Sequence, residues 1–275
     1  MLKKIVASDM DGTFLRPDGT YDKERFAVLL EKLTEAGYLF VAASGRSLLT
    51  LKELFQEFEK KMAFIAENGC IVEDEGQVIF EAEMVPKDYQ LILSELQADP
   101  HCQGYLLSGE KGAYAPLDAS AGYIKRAQHF YSNVQRADLN AVTDKILKVT
   151  AHFDADKIHD FTKRLNGKLA DFQAVVTGFD GMDIIPKAYN KSTGLEVLCK
   201  KQGISSQDVY AFGDNYNDLE MLAFSGIAVV PDNAVEAAKT LADEVVGDNA
   251  SDAVLTYLEG LVGDDRNKIG CIRLR

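Results

Sequence analysis

The sequence lacks a surplus of positive charge, and this excludes one broad class of partner. It carries 30 Lys and Arg against 43 Asp and Glu, which gives a formal net charge of −13 at pH 7. The basic residues occur as short pairs rather than as a stripe along one segment. Proteins that bind nucleic acid usually concentrate Lys and Arg on one surface, so we expect no nucleic-acid partner.

Long apolar segments are lacking as well. No run approaches the roughly 18 apolar residues that a membrane-spanning helix requires, and the N-terminus carries no apolar region beyond one short strand. We therefore expect neither a signal peptide nor a membrane partner. The last ten residues are basic, and their composition predicts a solvated tail.

Cysteine is scarce and scattered. The four cysteines form no C-x-x-C pair and have no histidine at the spacing typical of a zinc site; they are Cys70, Cys102, Cys199 and Cys271. Reduced thiols in a cytoplasmic protein are the expected state.

Both ends of the chain contain alternating strand-like and helix-like segments. With 275 residues, 47% of them hydrophobic, the chain can form one large domain or two smaller ones. We expect the first helix to begin after an N-cap at Thr20 and to end at Gly37, and the apolar stripe of the second to reach Phe58. Strand-like runs lie at 5–8, 39–43, 63–66, 209–212 and 227–230. This order predicts an α/β fold with a doubly wound, parallel, Rossmann-like sheet.

The middle of the chain follows a different pattern. A helix-like segment at 88–96 precedes a Gly- and Tyr-rich section, a strand-like run at 146–153 and a hairpin around Phe179-Asp180-Gly181. Mixed α+β material of this kind is not built from βαβ units. We therefore expect an inserted α+β cap domain within a discontinuous core, with bounds of 83–186 for the cap and of 1–82 and 187–275 for the core.

The most informative segment is Asp9-Met10-Asp11-Gly12-Thr13, which follows the apolar run at 5–8. Two carboxylates one residue apart at a strand end repel each other in a partly dehydrated crevice. That cost is understandable when a cation lies between them and one oxygen takes part in chemistry. A capped turn is the alternative interpretation, because Asp-Gly is a common turn dipeptide.

Polar residues follow four of the expected strands. They are Asp9 and Asp11, Ser44, Glu67 and Asn68, and Asp214 and Asn215. The carboxyl ends of neighbouring parallel strands face one crevice, which is where α/β sheets bind ligands. Taken singly, each of these residues could be a helix cap, but together they indicate a common site.

The residue types at these strand ends fit phosphoryl chemistry. Ser44 and the Gly45 N–H offer donors to an anionic oxygen at a helix start. Lys191, at the start of a later helix, could bind a phosphate or balance the carboxylates, and a solvated lysine is the alternative. Three carboxylates offer the hard oxygen ligands that suit Mg²⁺: Asp9, Asp11 and Asp214.

These segments resemble the motifs of a haloacid dehalogenase-like phosphatase of the Cof-type branch, which carries a large α/β cap between its second and third motifs. The resemblance covers essentially the whole chain, and the combination of the first and fourth motifs is strongly specific. The four motifs occur in family order as Asp9-Met10-Asp11-Gly12-Thr13, Ser44-Gly45-Arg46, Lys191 and Gly213-Asp214-Asn215-Tyr216-Asn217-Asp218.

The resemblance implies a Mg²⁺-dependent hydrolase that forms an aspartyl-phosphate. Asp9 would be the nucleophile. Asp11 would protonate the leaving alcohol and later deprotonate the hydrolytic water. Asp9, Asp214 and either the backbone carbonyl or the side chain of Asp11 would hold the Mg²⁺.

The resemblance also implies which residues bind the phosphoryl group and which residues hold those binding residues in place. The transferring phosphoryl group would be held by the Met10 backbone N–H, Ser44, Gly45, Lys191 and Asn217. Thr13 and Asp218 would lie behind them, with Asp218 orienting Lys191 or the waters of the metal.

Two other functions use similar residues. A phosphohexomutase-like phosphoryl transferase has the same core but needs its cap to exclude water. A receiver-like binding protein, phosphorylated on an aspartate, also combines acidic residues, a hydroxyl and a lysine, although a receiver is about half this length. The expected substrate is a small phosphorylated metabolite, such as a sugar, nucleotide or cofactor phosphate, and candidate contacts lie at 104–123 and 177–183.

Overall fold

A computed structural model describes residues 2–177 and 180–263 together with the backbone of residues 272–273. The strands, in chain order, are β1 (Lys4–Ser8), β2 (Tyr38–Ala43), β3 (Ala63–Ala66), β4 (Ile71–Asp74), β5 (Gln77–Glu81), β6 (Cys102–Gly109), β7 (Ala113–Pro116), β8 (Val134–Ala137), β9 (Ile146–Phe153), β10 (Phe172–Thr177), β11 (Gly181–Pro186), β12 (Val209–Phe212), β13 (Ile227–Pro231), β14 (Glu244–Val246) and β15 (Ile272–Arg273). The helices are α1 (Lys23–Glu35), α2 (Leu48–Leu54), α3 (Pro86–Ala98), α4 (Ala121–Phe130), α5 (Ile158–Asn166), α6 (Lys191–Gln202), α7 (Leu219–Phe224), α8 (Glu236–Leu241) and α9 (Ala253–Val262).

The larger sheet confirms the predicted doubly wound α/β architecture. Its strand order is β15-β14-β13-β12-β1-β2-β3-β4-β5, and the pairs from β14 to β3 are parallel. Helices α1, α2 and α9 pack on one face, and α6, α7 and α8 pack on the other. The antiparallel hairpin of β4 and β5 at one edge is absent from the sequence-based prediction.

The start of the first helix differs from the prediction. The side chain of Asp22, not Thr20, caps α1 by accepting from the Arg25 backbone N–H at 3.0 Å. Thr20 belongs to the preceding turn, where its hydroxyl donates to Asp18 Oδ1 at 2.7 Å. Both Asp and Thr are good caps, so the choice depends on where that turn ends. Helix α2 also ends early, at Leu54.

The smaller sheet is formed entirely by strands between β5 and α6, within the predicted cap. Its order is β10-β11-β9-β6-β7-β8, and all neighbours are antiparallel except β7 and β8. The predicted hairpin is present as β10 and β11, although Phe179 lies outside the described residues. Alternate residues of β9 pack with α3 and α5 in a separate apolar cluster, which leaves a polar face on this sheet.

None of the helices among the described residues is both long and apolar enough to cross a membrane. In the predicted solvated tail, Ile272 and Arg273 pair with β14 instead. The rest of the last ten residues, including Cys271, lies outside the described part of the chain. Cys70, Cys102 and Cys199 are free thiols.

Candidate active site

The turn after β1 brings the backbone close to a carboxylate of another motif. The Asp9 backbone N–H donates to the carbonyl of Phe212, at the end of β12, at 2.8 Å. Gly12 has a φ of +82°, in the left-handed region, and a Cβ at this position would lie 2.6 Å from Asp214 Oδ2. Glycine is therefore required both for the turn and for the approach of the first motif to the fourth.

Three carboxylates and one ammonium group form a buried cluster at the ends of β1 and β12. Lys191 Nζ donates to Asp9 Oδ1 at 2.5 Å and to Asp218 Oδ1 at 2.6 Å. Asp218 Oδ2 accepts from the backbone N–H groups of Asp214 and Asn215, each at 3.0 Å. Lys191 is completely buried, so the structure excludes the alternative of a solvated lysine at a helix start.

Burial dominates the electrostatics of this cluster. It raises the pKa of Asp9 well above the usual range, and the opposing effect of Lys191 is smaller. Burial and the Asp218 carboxylate raise the pKa of Asp214 to about 6. Burial acts against the charge of Lys191, but Asp218 and Asp9 raise its pKa above the ordinary value. The cluster thus has more carboxylate than one ammonium group can balance.

This excess of carboxylate fits a divalent cation. Asp9, Asp214 and Asp218 each present an oxygen such that all three atoms lie within 4.8 Å of one another. Hard oxygen donors are the ligands that Mg²⁺ prefers. Thr13 Oγ1 donates to Asp214 Oδ1 at 2.6 Å and so fixes that carboxylate. Both oxygens of Asp218 already accept hydrogen bonds, Oδ1 from Lys191 and Oδ2 from two backbone N–H groups, so its place in the cluster agrees with the predicted supporting role.

Asp11 lies apart from this cluster. Its side chain is 52% exposed and accepts from Arg46 Nε at 2.8 Å and Arg46 Nη2 at 2.6 Å. Arg46 belongs to the second motif, but the resemblance alone assigned it no role. From the sequence, we expect either the side chain or the backbone carbonyl of Asp11 to bind the cation. The side chain lies outside the carboxylate cluster, and binding by the backbone carbonyl stays a prediction.

A cavity of about 420 Å³ separates this end of the larger sheet from the smaller sheet. On the core side it is lined by Asp9, Asp11, Ser44, Gly45, Arg46 and Asn217. On the cap side its lining includes Arg126, Tyr131, Lys148, His152, Asp180 and Asp183. The candidate segment 177–183 therefore reaches the cavity, whereas the lining residues that precede β9 come from 126–131 rather than from 104–123.

The predicted phosphate-binding residues divide into two layers. Ser44, Gly45 and Asn217 line the cavity directly. Lys191 lies behind Asp9, and the Met10 side chain is buried in the apolar core, which leaves only the Met10 backbone for the predicted role. The structure thus brings all of these residues to one end of the sheet, but only part of them to the cavity surface.

The turn after β3 is strained and lies against two motifs. Glu67, Asn68 and Gly69 all have positive φ, at 52°, 55° and 98°, a conformation that is uncommon for Glu. The Glu67 and Asn68 N–H groups donate to the carbonyls of Arg46 and Ser44, each at 3.0 Å. A Cβ on Gly69 would lie 2.0 Å from the carbonyl oxygen of the residue before Lys191. The turn is therefore wedged between the second and third motifs.

A second buried charge cluster joins the cap to this turn. Lys148 Nζ lies 2.9 Å from Glu67 Oε2 and 3.1 Å from Asp183 Oδ2, and it donates to the Gly45 carbonyl at 2.5 Å. Burial opposes the charge on Lys148, but Asp183 and Glu67 raise its pKa well above the ordinary value. Burial raises the pKa of Glu67, and Lys148 only partly offsets this effect.

The candidate segment 177–183 includes Asp183, but the polar residues of β9 were not identified from the sequence, although one signal for them was present. Lys148, Thr150 and His152 alternate with apolar residues along β9, and Asp183 pairs with Thr150 across to β11. Alternation with a period of two places these side chains on one face of a sheet. In the structure, that polar face lines the cavity.

Comparison with known proteins agrees with the site. A family model described as haloacid dehalogenase-like hydrolase matches residues 6–258. A 5-amino-6-(5-phospho-D-ribitylamino)uracil phosphatase of Escherichia coli is 31% identical over 241 residues, which cover 87% of this chain and 89% of that protein. Further curated relatives are also named phosphatases.

Solved structures share the fold over nearly the whole length. A crystal structure from Streptococcus mutans has a TM-score of 0.89 at 27% identity and covers 94% of this chain and 99% of its own. A sugar phosphatase of haloacid dehalogenase subclass IIB has a TM-score of 0.79 at 18% identity, with the same coverage. The chain therefore belongs to the haloacid dehalogenase-like hydrolases and is a phosphoric monoester hydrolase.

Proposed function

We propose that this chain hydrolyses small phosphomonoesters through an aspartyl-phosphate on Asp9, with Mg²⁺ held at the buried carboxylate cluster. The observation that carries the proposal is the position of Asp9. It is 5% exposed, it is paired with Lys191 at 2.5 Å, and it still lines the cavity. A nucleophile needs this combination of a fixed orientation and access to substrate.

In the first step, an oxygen of Asp9 would attack phosphorus while the bond from phosphorus to the leaving oxygen breaks. Lys191 orients the Asp9 carboxylate, and Asp218 in turn holds Lys191 at 2.6 Å. Ser44, Gly45 and Asn217 line the cavity beside Asp9 and would donate hydrogen bonds to the phosphoryl oxygens. Mg²⁺, when bound by Asp9, Asp214 and the Asp11 carbonyl, would neutralise charge on the phosphoryl group.

Asp11 would supply the proton to the leaving oxygen. It would later take a proton from the water that attacks phosphorus while the bond between phosphorus and the Asp9 oxygen breaks. This role requires Asp11 to give up its two contacts with Arg46, since a carboxylate bound by both guanidinium N–H groups is not a donor. Its exposed position on the cavity wall gives room for that exchange. Arg46 would then be free to donate to two phosphoryl oxygens, in the bidentate geometry that guanidinium favours.

We further propose that residues 83–186 act as the cap that contacts the leaving group, on a core of residues 1–82 and 187–275. The cap side of the cavity contains one guanidinium, Arg126, whose Nη2 lies 2.5 Å from Asp180 Oδ1. Because Asp180 already neutralises the positive charge of Arg126, the cap side of the cavity favours a neutral, hydrogen-bonding leaving group over a second phosphate. The phosphorylated ribitylaminouracil named for the E. coli relative has a leaving group of this kind.

The proposal is tested by phosphate release from a panel of phosphometabolites with Mg²⁺ and without an added acceptor. We expect release from at least one member, and we expect Asp9→Asn to lower it by at least about 10³-fold, because the nucleophile is lost. Glu53 lies on α2, and its Oε2 accepts from Ser132 Oγ of the predicted cap at 2.5 Å. Glu53→Gln is the matched control and should keep parental activity. Equal activity of Asp9→Asn and the parent would overturn the nucleophile assignment.

The same assay separates the alternative functions. Transfer to an acceptor sugar without release of phosphate would indicate the mutase-like transferase. A stable phosphorylated protein that does not turn over would indicate the receiver-like function.

A further inference from the structure

The cap reaches the phosphate-binding residues through a chain of side-chain hydrogen bonds. Asp183, on β11, is 4% exposed. Its Oδ1 accepts from Thr150 Oγ1 at 2.6 Å, and its Oδ2 accepts from Lys148 Nζ at 3.1 Å and from Asn68 Nδ2 at 2.7 Å. Asn68 Oδ1 accepts from Asn217 Nδ2 at 3.1 Å. Asp183, Asn68 and Asn217 thus form a continuous relay from the cap to the fourth motif.

The chemistry of the groups gives this relay a direction. A carboxylate only accepts hydrogen bonds, so Asn68 must turn its NH₂ group toward Asp183 and its carbonyl oxygen toward Asn217. Asn217 must then present its own NH₂ group, because two facing carbonyl oxygens repel each other. One N–H of Asn217 bonds to Asn68, and the second is available to an anionic oxygen in the cavity that Asn217 lines.

The same cap residues also hold the neighbouring phosphate-binding loop. Lys148, which binds Asp183, donates to the Gly45 carbonyl at 2.5 Å. A Cβ on Gly45 would lie 3.1 Å from Asn68 Oδ1 and 3.4 Å from Asp183 Oδ2, so the relay passes directly behind this glycine. The left-handed backbone of Asn68, with φ of 55°, holds its side chain in this place.

We propose that Asp183 is a positioning residue for phosphate recognition, which orients the Asn217 amide through Asn68. The proposal rests on the proposed function, in which Asn217 donates to the phosphoryl group. It goes further because the relay is complete only when the cap lies on the core as it does here. The cap then contributes to phosphate affinity, and not only to contact with the leaving group.

The test measures binding of inorganic phosphate to the Mg²⁺-loaded enzyme by calorimetry, with no turnover needed. Asn68→Gly removes the middle of the relay, introduces no unpaired charge, and suits the positive φ of this position. We expect it to weaken phosphate binding by about 10-fold, because the Asn217 amide is then free to rotate. Asp183→Asn lets either end of the Asn68 amide face residue 183, and we expect a similar loss.

A double-mutant cycle shows whether the effect passes through Asn217. In an Asn217→Ala background, Asn68→Gly should change phosphate affinity by less than about 2-fold, since residues of one network are not additive. The same 10-fold loss in both backgrounds would overturn the relay. Glu53→Gln, which removes the bond from Ser132 Oγ to Glu53 Oε2 at 2.5 Å, is the control for loss of a contact between cap and core.

The outcomes for relay and function are distinct. Phosphate release by the parent with unchanged phosphate affinity in Asn68→Gly overturns the relay alone. The expected coupling without hydrolysis of any phosphomonoester overturns the proposed function and leaves the relay as a device of an anion site. No binding of phosphate by the parent overturns the relay, whereas the proposed function is still decided by phosphate release from the panel.

Discussion

The buried cluster on the core wall of the cavity and His152 on its cap wall differ in how completely their polar groups are paired. On the core side, Lys191 joins Asp9 and Asp218 at 2.5 and 2.6 Å. On the cap side, His152 Nδ1 is buried without a hydrogen-bond partner among the described residues. Burial and the nearby Arg126 lower the pKa of His152, so its imidazole is neutral near pH 7 and able to accept or donate one bond.

This difference separates chemistry from selectivity. Paired groups are stable without a ligand and act alike on every substrate that brings a phosphoryl group. An unpaired buried group is stabilised only by a ligand that supplies its partner, so it discriminates between leaving groups. The following predictions test this division, beginning with the core wall.

Lys191→Met should have the largest effect. It leaves Asp9 and Asp218 without their shared cation, and removing one partner of a buried pair costs about 3–5 kcal/mol of unfolding free energy. Phosphate release should fall by at least about 10²-fold. Denaturant unfolding in the presence of a chelator measures the first effect. Lys200→Met, on the exposed side of the same helix, is the control, and equal stability of the two variants would contradict the pairing described here.

Mg²⁺ should stabilise the core wall by an intermediate amount. Binding to the folded state at about 100 times the dissociation constant adds about 2.7 kcal/mol, which thermal unfolding with and without Mg²⁺ detects. Asp214→Asn should lose most of this shift. Glu196→Gln, which also removes one negative charge but at an exposed position, should keep it. A full shift in Asp214→Asn would remove Asp214 from the metal site, and activity in excess chelator would argue against Mg²⁺.

His152→Phe, on the cap side of the cavity, should have the smallest effect on activity. Phenylalanine keeps the ring contact with Tyr123, whose centroid lies 5.8 Å away, but it cannot hydrogen-bond. We expect kcat/KM for the preferred metabolite to fall by about 3- to 10-fold, with a changed order of substrates in the panel. The exposed His129→Phe is the control. An unchanged order would mean that His152 does not contact the leaving group.

Much of the core could be predicted because its site residues follow apolar strands directly. Each of Asp9, Ser44 and Asp214 follows an apolar strand by one or two residues. The parallel topology alone then brings them together at the carboxyl ends of the strands. The antiparallel hairpin of β4 and β5 and the start of α1 were harder to predict, since turn geometry decides them. In the latter case, two good caps, Thr20 and Asp22, lie two residues apart.

The cap contribution could not be predicted from local patterns. The bond from Asn68 to Asp183 joins residues 115 positions apart, and the bond from Lys148 to Gly45 joins residues 103 apart. The alternation along β9 indicates a polar face. Whether that face turns to solvent or to the core depends on how the two sheets pack.

The polar face of the smaller sheet limits how freely caps can be exchanged between relatives. Lys148 and Asp183 occupy fixed register positions on β9 and β11, and their partners Glu67 and Asn68 belong to the core. A chimaera that carries a foreign insert therefore needs a lysine and an acidic residue at these same two positions. Without them, the graft would bury Glu67 alone and release the Asn68 amide.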